Sequence, residues 1–177
     1  KHMIAASTAA IYGDTSTMPL RESLRPRPMS PYADYKLEME HMMDAYHRSE
    51  FQCSALRFFN VFGEGQRSTG GYRSAVPIFL EQFESFVQTR DWIYVKDVVN
   101  AMIMSMDEEP LTKMPIRNVG SGVETQVIEV AEAFGGEIIH IEKRDEPERS
   151  VASIDKITKE LGWRPETNLL SWIKYIK

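Results

Sequence analysis

The sequence predicts an α/β fold with largely parallel strands. Segments typical of strands alternate along the chain with segments typical of helices, which is the order that parallel sheets require. The first segment, His2 to Ser7, is a run of small and apolar residues that is typical of a buried parallel strand. Of the 177 residues, 42% are hydrophobic and 27% are charged, which is the composition of a globular domain rather than a disordered chain.

Local signals place each element. After a loop over 14–29 that carries three prolines, Ser30 and Pro31 predict the start of a helix that runs to about Ser49, because a serine hydroxyl caps the first amides and proline suits the first turn. The later predicted elements are, in order, a strand over Cys53 to Gly63 that ends in a glycine turn, a helix over Ala75 to Phe86, a strand over Asp91 to Val95, a helix over Val98 to Met106 capped by Asp97, a strand over Ile116 to Val119, a helix capped by Thr125 and ended by Gly135-Gly136, a strand over Glu137 to Lys143, and helices near Asp155 to Leu161 and Leu169 to Ile176.

Charge and apolar pattern exclude several classes of protein. With 21 Lys and Arg against 26 Asp and Glu, the net charge is −5, so the sequence lacks the basic balance that a nucleic-acid partner requires. No apolar run approaches the roughly 18 residues of a membrane span, and the first residues lack the apolar core of a signal peptide. The single cysteine, Cys53, excludes an internal disulfide, and the four histidines show no metal-ligand spacing. We therefore expect a cytoplasmic protein without a structural metal.

A candidate catalytic pair stands at the start of the first long helix. Tyr32 and Lys36 are four residues apart, so their side chains share one helix face. An ammonium beside a phenol favours the phenolate, which then serves as an acid or base near neutral pH. Alone, this spacing is more often a solvated surface pair. Ser7 and Thr8, however, end the first strand, and ligands of parallel sheets bind at the carboxyl ends of strands, so a hydroxyl and the phenol are expected to meet there.

These residues lie in motifs that resemble one family. The motifs are ASTAAIYGD, SPYADYK, LRFFNVFGEGQ, QTRDWIYVKDVVNAM, NVGSGVETQVIEVAEAF and KELGWRPET. Over nearly its whole length the sequence is similar to the extended short-chain dehydrogenase/reductases, specifically to the NAD-dependent nucleotide-sugar epimerases and dehydratases of the UDP-glucose 4-epimerase type. The resemblance implies part of a Rossmann-type parallel sheet domain and a smaller α/β substrate-binding domain. It also implies NAD as the cofactor and a nucleotide-diphosphate sugar, most commonly a UDP-sugar, as the substrate.

The resemblance assigns roles to individual residues. Tyr32 would be the catalytic acid/base, Lys36 would support it and hold the nicotinamide ribose, and Thr8 would bond the sugar hydroxyl that is oxidised. Ser7 and Phe58 would join Tyr32 and Lys36 in binding the cofactor. The substrate would be bound by Thr8, Phe59, Asn60, Ser74, Ala75, Arg90 and Arg144, with Asn60 and Arg90 at the diphosphate.

The family pattern also locates the domains. The strand–GxxGxxG–helix motif, which binds the pyrophosphate of NAD in the family, does not occur in the sequence. We therefore expect residues 1–63 to be the C-terminal part of the NAD-binding Rossmann domain. Residues 64–177 would be mainly the nucleotide-sugar-binding domain, with a segment at about 91–106 that returns to the Rossmann domain.

Two alanines favour one reaction of the family over another. Dehydratases of the family carry an acid and a base, typically Asp-Glu, directly after the active-site Thr or Ser, and here those positions are Ala9 and Ala10. Because alanine transfers no proton, oxidation and reduction at C4 remain and elimination does not. The resemblance thus implies a 4-epimerase that works through a transient 4-keto sugar. The alternatives are a 4,6-dehydratase, an epimerase/reductase or a heptose epimerase of the same family, and a non-catalytic nucleotide-binding subunit.

The methionines of the first helix leave two interpretations open. Met39, Met42 and Met43 fit packing against the sheet, which is the more common use of such residues. Relatives in the family commonly dimerise by packing this helix into a four-helix bundle. The resemblance therefore also implies a homodimer formed through the helix of Tyr32 and Lys36.

Overall fold

The computed structural model of the chain describes residues 1–48, 50–66, 88–135 and 147–176 and contains two three-stranded sheets. In chain order the elements are β1 (His2–Thr8), a 3-10 turn (Ala9–Tyr12), α1 (Pro31–Tyr46), β2 (Gln52–Phe58), β3 (Asn60–Phe62), β4 (Thr89–Tyr94), α2 (Val95–Met106), β5 (Ile116–Val119), β6 (Glu124–Gln126), α3 (Val127–Phe134), α4 (Asp155–Leu161) and α5 (Leu169–Ile176). The first sheet has the order β1-β2-β5 and is parallel throughout. The second has the order β3-β4-β6, with β6 antiparallel to β4. The predicted α/β class is confirmed.

The chain turns sharply where β1 ends. Thr8 Oγ1 accepts a hydrogen bond from Ala10 N at 3.2 Å and so caps the 3-10 turn. Gly13 follows the turn with φ of 63°, and a Cβ there would lie 1.9 Å from the carbonyl oxygen of Arg27. Only glycine fits this position, since the backbone is left-handed and another chain segment lies against it.

The start of α1 is confirmed, but its end falls earlier than predicted. Ser30 Oγ accepts from Ala33 N at 3.2 Å and Pro31 occupies the first turn. The helix ends at Tyr46 rather than near Ser49 because His47 is held outside it: its Nδ1 accepts from Cys53 N at 3.0 Å, and its Nε2 lies 2.9 Å from the carbonyl oxygen of Leu111. Cys53 lies beyond the end of the helix and Leu111 is 64 residues away, so the residues of the helix itself do not predict the stop.

The predicted strand over Cys53 to Gly63 is two strands in different sheets. β2 ends at Phe58, and β3 begins at Asn60 and pairs with β4. Phe59 between them is buried in a cluster with Tyr12 and Leu20, and its N–H donates to Val119 O at 3.1 Å. The chain therefore crosses from the first sheet to the second at this residue.

Two predicted helix caps are wrong. Asp97 lies in the first turn of α2, and its carboxylate accepts from the backbone of Glu166 and Thr167, which fixes the loop before α5. Thr125 lies in β6 opposite Arg90, and α3 begins two residues later. The carboxylate of Asp97 is thus used by a segment distant in sequence, and the backbone of Thr125 is used by pairing with β4. The predicted glycine stop at Gly135 is confirmed, since that residue takes the left-handed conformation.

The core lies on both sheets. On the first sheet α2 and α4 bury a cluster of apolar residues, Leu56, Ile93, Val98, Ala101, Val119, Ile157 and Trp163. On the second, α3 and α5 bury Phe62, Trp92, Tyr94, Val130, Leu169 and Ile173. Among the helices of the described ranges, none has the length and apolar character needed to cross a bilayer. The predicted helix over Ala75 to Phe86 and strand over Glu137 to Lys143 lie outside the described residues.

Candidate active site

A cavity of about 410 Å³ opens where β1 and β2 end, at the edge of the parallel sheet where ligands are expected. It lies between the two sheets, because residues after β2 and in β4 also line it. Its described lining consists of Thr8, Ala9, Ala10, Gly13, Leu20, Met29, Ser30, Phe58, Phe59, Asn60, Arg90, Pro147, Arg149 and Ser150. Five residues predicted for the site from the sequence are in this list: Thr8, Phe58, Phe59, Asn60 and Arg90.

Thr8 presents its hydroxyl at the end of the cavity formed by the first sheet. The oxygen already accepts from Ala10 N, which fixes the side chain, and the hydroxyl hydrogen remains a donor. Ala9 and Ala10 line the cavity beside it. Along the described lining there is no Asp, Glu, His, Lys or Cys, so the chemistry of this wall rests on hydroxyl groups.

Tyr32 and Lys36 lie beside the cavity on the first turns of α1. Ser30, directly before the helix, lines the cavity, whereas Tyr32 is not in the lining and is 45% exposed. Lys36 Nζ donates to Ala6 O at 2.6 Å and lies 5.9 Å from the centre of the Tyr32 ring. The ammonium therefore connects the helix of Tyr32 to β1 two residues before Thr8. It has three N–H donors and uses one on this carbonyl, so the others remain for a ligand.

Asn60 and Arg90 lie at the end of the cavity formed by the second sheet. Asn60 Nδ2 donates to Asp91 O at 3.2 Å, and Arg90 Nη1 donates to Thr89 O at 2.9 Å and to Glu148 O at 3.3 Å. Both side chains are thus held by backbone carbonyls while they line the cavity. A guanidinium and an amide at one end provide the donors that an anionic ligand requires.

Four further residues predicted for the site are absent from the described lining. One of them points into the interior, and three lie outside the described residues. Ser7 is 3% exposed, and its hydroxyl donates to Glu40 Oε1 at 2.5 Å in the interior. The prediction that Ser7 binds the cofactor has no support from the direction of this side chain. Ser74, Ala75 and Arg144 lie outside the described residues.

A second arginine, Arg149, joins the cavity wall and was not predicted. Its guanidinium makes two bonds of 2.7 Å to the carboxylate of Glu124. Arg149 holds the pKa of Glu124 down at about 2, so the carboxylate stays ionised at neutral pH. Thr89 also bonds this carboxylate through its hydroxyl, which joins β4, β6 and the segment of Arg149. The signal in the sequence is faint, because Arg149 lies 25 residues from its partner.

Asp91 holds the two sheets together next to Arg90. The carboxylate is completely buried and accepts from Ser121 N, Ser121 Oγ, Gly122 N and Ala152 N at 2.6–3.0 Å. Burial raises the pKa of Asp91 above that of an ordinary aspartate, while these donors act in the opposite direction. A Cβ at Gly120 would lie 2.7 Å from Asp91 Oδ2, so glycine is required where β5 ends.

A buried polar network lies in the interior, next to the residues at the end of β2 that line the cavity. Arg57 makes two bonds to Glu40, of 3.0 and 2.7 Å, and one of 3.0 Å to the hydroxyl of Tyr12. Tyr12 in turn donates to Asn118 Oδ1 at 2.7 Å, and burial raises the pKa of Tyr12, so the phenol keeps its proton. The only hint in the sequence is the spacing of Glu40, four residues after Lys36 on the same face of α1.

No group of three His, Cys, Asp or Glu side chains in the described part of the chain could hold a metal ion. The donors in the described lining are hydroxyl, amide and guanidinium groups, with the Lys36 ammonium beside the cavity, and these suit anionic and hydroxylated ligands rather than cations.

Comparisons with known proteins match this architecture. The NAD dependent epimerase/dehydratase family matches residues 1–120. A UDP-glucuronate 4-epimerase of Thermodesulfobacterium geofontis is 31% identical over 98% of this chain and 57% of its own length. The structure of a UDP-glucose 4-epimerase of Thermotoga maritima with UDP-glucose is 29% identical, with a TM-score of 0.87 over 98% of this chain and 61% of its own. That of Thermus thermophilus with NAD is 30% identical, with a TM-score of 0.81 over 98% of this chain and 62% of its own.

The chain spans about three fifths of the length of the curated relatives it matches. The family match nevertheless covers well over half of the chain, including β1, the Tyr32 helix, β2 and β5. The chain belongs to the NAD-dependent epimerase/dehydratase family.

Proposed function

We propose that this chain carries the catalytic and substrate-binding part of an NAD-dependent 4-epimerase of nucleotide-diphosphate sugars, with UDP-sugars as the substrate class. The relatives named above support the class of reaction and of substrate. The observation that carries the choice of reaction is the wall beside Thr8. Ala9 and Ala10 line the cavity there, and along its described lining there is no acid or base that could remove water from the sugar.

In this proposal the chain's own residues handle the proton of the sugar hydroxyl. Tyr32 removes the proton from the 4-hydroxyl, and Thr8 orients that hydroxyl through a hydrogen bond. Lys36 lies at the Tyr32 ring and stabilises the phenolate form. When bound, NAD supplies the acceptor and donor of hydride at C4. Tyr32 then returns the proton to the 4-keto oxygen after the sugar has presented its other face.

The nucleotide diphosphate anchors the substrate at the opposite end of the cavity. Asn60 and Arg90 contact the diphosphate there, and Phe58 and Phe59 line the region between the diphosphate and the sugar. Binding energy from this remote part of the substrate holds the keto sugar while it turns. Ser74, Ala75 and Arg144 complete the contacts in the proposal.

We assign residues 1–63 to the cofactor-binding domain and 64–177 mainly to the substrate-binding domain. The first sheet and its edge at Thr8 support the former, and β4 and β6 of the second sheet with Arg90 support the latter, while β3 of the second sheet, Asn60–Phe62, lies just before the boundary. α2, at 95–106, packs on β1 and β2 and so returns to the first domain, as does β5.

The direct test is turnover by the full-length protein with added NAD. UDP-glucose, UDP-glucuronate and UDP-N-acetylglucosamine are each incubated with the protein, and the sugars are resolved by chromatography. We expect interconversion of at least one with its C4 epimer. A 4-keto-6-deoxy product would instead identify a dehydratase, and tight binding with no turnover by fresh protein would identify a non-catalytic subunit.

We further propose that a second copy of the chain packs on α1. A groove of about 500 Å³ runs along this helix and is lined by apolar side chains with one carboxylate: Met3, Tyr35, Glu38, Met39, Met42, Met43, Tyr46, Phe51 and Cys53. Met43 is buried, but Met42 is 63% exposed and Tyr35 75%, so packing within the chain leaves part of this face uncovered.

Met42→Glu is expected to convert a dimer to a monomer in sedimentation velocity, whereas Lys159→Glu on α4 should not. A protein that is monomeric at micromolar concentration would contradict the proposal.

A further inference from the structure

A row of buried polar side chains crosses the first sheet one residue before Thr8 and Phe58, which line the cavity. Ser7 in β1, Arg57 in β2 and Asn118 in β5 are paired in register, and all three are at most 3% exposed. The next row begins with Thr8 and Phe58, both of which line the cavity. The polar row is therefore directly connected to the residues that meet the substrate.

Glu40 ties this row to the helix that carries Tyr32. Its carboxylate accepts from Ser7 Oγ at 2.5 Å and from Nε and Nη2 of the Arg57 guanidinium. One turn earlier on the same face, Lys36 donates to Ala6 O. Two side chains of α1 thus hold two consecutive residues of β1, immediately before Thr8. The two bonds fix both the rotation of the helix and its position along the strand.

Tyr12 connects the same row to Ala9 and Ala10, which line the cavity. It ends the 3-10 turn that presents Ala9 and Ala10 to the cavity. Its hydroxyl accepts from Arg57 Nη1 and donates to Asn118 Oδ1, so both roles of the hydroxyl are used in the interior. Arg57 therefore bonds both Glu40 on α1 and Tyr12 at the end of the turn that follows Thr8.

Burial makes this arrangement costly unless every group is paired, and an apolar set of similar volume would often stabilise the fold as well. We propose that Ser7, Tyr12, Glu40 and Arg57 are positioning residues, which hold Thr8 and the Tyr32 helix in the relative geometry that proton transfer at the sugar requires. The role in catalysis rests on the function proposed above. The role in holding the turn and the helix does not.

The test compares two losses of a buried serine hydroxyl in the full-length protein. Ser7→Ala removes the bond to Glu40 and leaves the Glu40–Arg57 pair intact. Ser54→Ala is the matched control: Ser54 is fully buried in the same sheet, and its Oγ is bonded to His2 Nε2 at 2.8 Å, far from the cavity. Ser7→Ala is expected to lower kcat about tenfold with KM for the UDP-sugar within about twofold, since small misplacement of reacting groups has effects of this size. Ser54→Ala should leave kcat unchanged.

Amide hydrogen exchange gives a readout that needs no turnover. Tyr12→Phe and Ser7→Ala should speed exchange in the peptides that cover 8–13 and the start of α1, and Ser54→Ala should not. If wild type turns over no nucleotide sugar, the function proposed above fails, and the exchange comparison still decides the positioning role. Equal exchange in Ser7→Ala and Ser54→Ala, or a changed KM with an unchanged kcat, would overturn the inference.

Discussion

Replacing Tyr32 by phenylalanine is expected to lower kcat for epimerisation by about 10²- to 10⁴-fold, the range that a positioned acid/base contributes. The substitution removes one oxygen and keeps the ring, which lies at the surface beside the cavity. KM should change little, because the diphosphate contacts of Asn60 and Arg90 are at the other end of the cavity. Steady-state kinetics with the UDP-sugar that wild type converts provide the measurement.

Tyr35→Phe is the matched control for this prediction. Tyr35 is on the same helix and is 75% exposed, but it lines the apolar groove of α1 and not the cavity. Loss of its hydroxyl should leave kcat as in wild type. Turnover by Tyr32→Phe as fast as that by Tyr35→Phe would remove Tyr32 from the mechanism.

Replacing Glu40 by leucine is expected to lower the free energy of unfolding by about 3–5 kcal/mol, the cost of leaving one partner of a buried ion pair alone. Arg57 would then be 3% exposed with its charge uncompensated, and the hydroxyl of Ser7 would lose its acceptor. The double variant Glu40→Leu/Arg57→Leu should lose less than the two single variants together, because it removes both charges. Urea unfolding of all three variants measures these differences.

Asp44→Leu controls for the loss of an acidic residue from α1. Asp44 is one turn after Glu40, is exposed, and does not line the groove on α1. Its removal should change the free energy of unfolding by less than about 1 kcal/mol. Equal losses for Asp44→Leu and Glu40→Leu would show that Glu40 is not in the interior.

The elements that the sequence predicted well are those fixed by neighbouring residues. Ser30 caps α1 and Gly135 ends α3, because each acts through its own backbone or through an amide three residues away. The two wrong helix caps share one cause. Asp97 is used by the loop at 166–167 and Thr125 by pairing with β4, and neither partner is visible in a local pattern.

The residues of the candidate site also fall into those that the sequence predicts and those that only the structure reveals. Thr8, Asn60 and Arg90 follow from motif and strand ends, and the structure brings them to one cavity. Ser7 has the same type of side chain as Thr8 and is adjacent to it, yet alternation along the strand turns it to Glu40. The network of Glu40, Arg57 and Tyr12 joins residues up to 45 positions apart, so it becomes visible only once the fold is known.

The origin of the hydrogen at C4 of the product tests the central claim most directly. The full-length protein with NAD converts the UDP-sugar in D₂O, and proton NMR then reads the sugar positions. Oxidation and reduction at C4 by one bound cofactor predict a product that keeps its original C4 hydrogen and takes up no deuterium at C4, C5 or C6. Deuterium at C4 would show that the carbon-bound hydrogen exchanges with solvent, whereas deuterium at C5 together with transfer of the C4 hydrogen to C6 would show elimination from the 4-keto sugar. The first result would contradict the assignment of Thr8, Tyr32 and Lys36 to a reversible oxidation of the 4-hydroxyl, and the second would contradict the choice of an epimerase over a dehydratase.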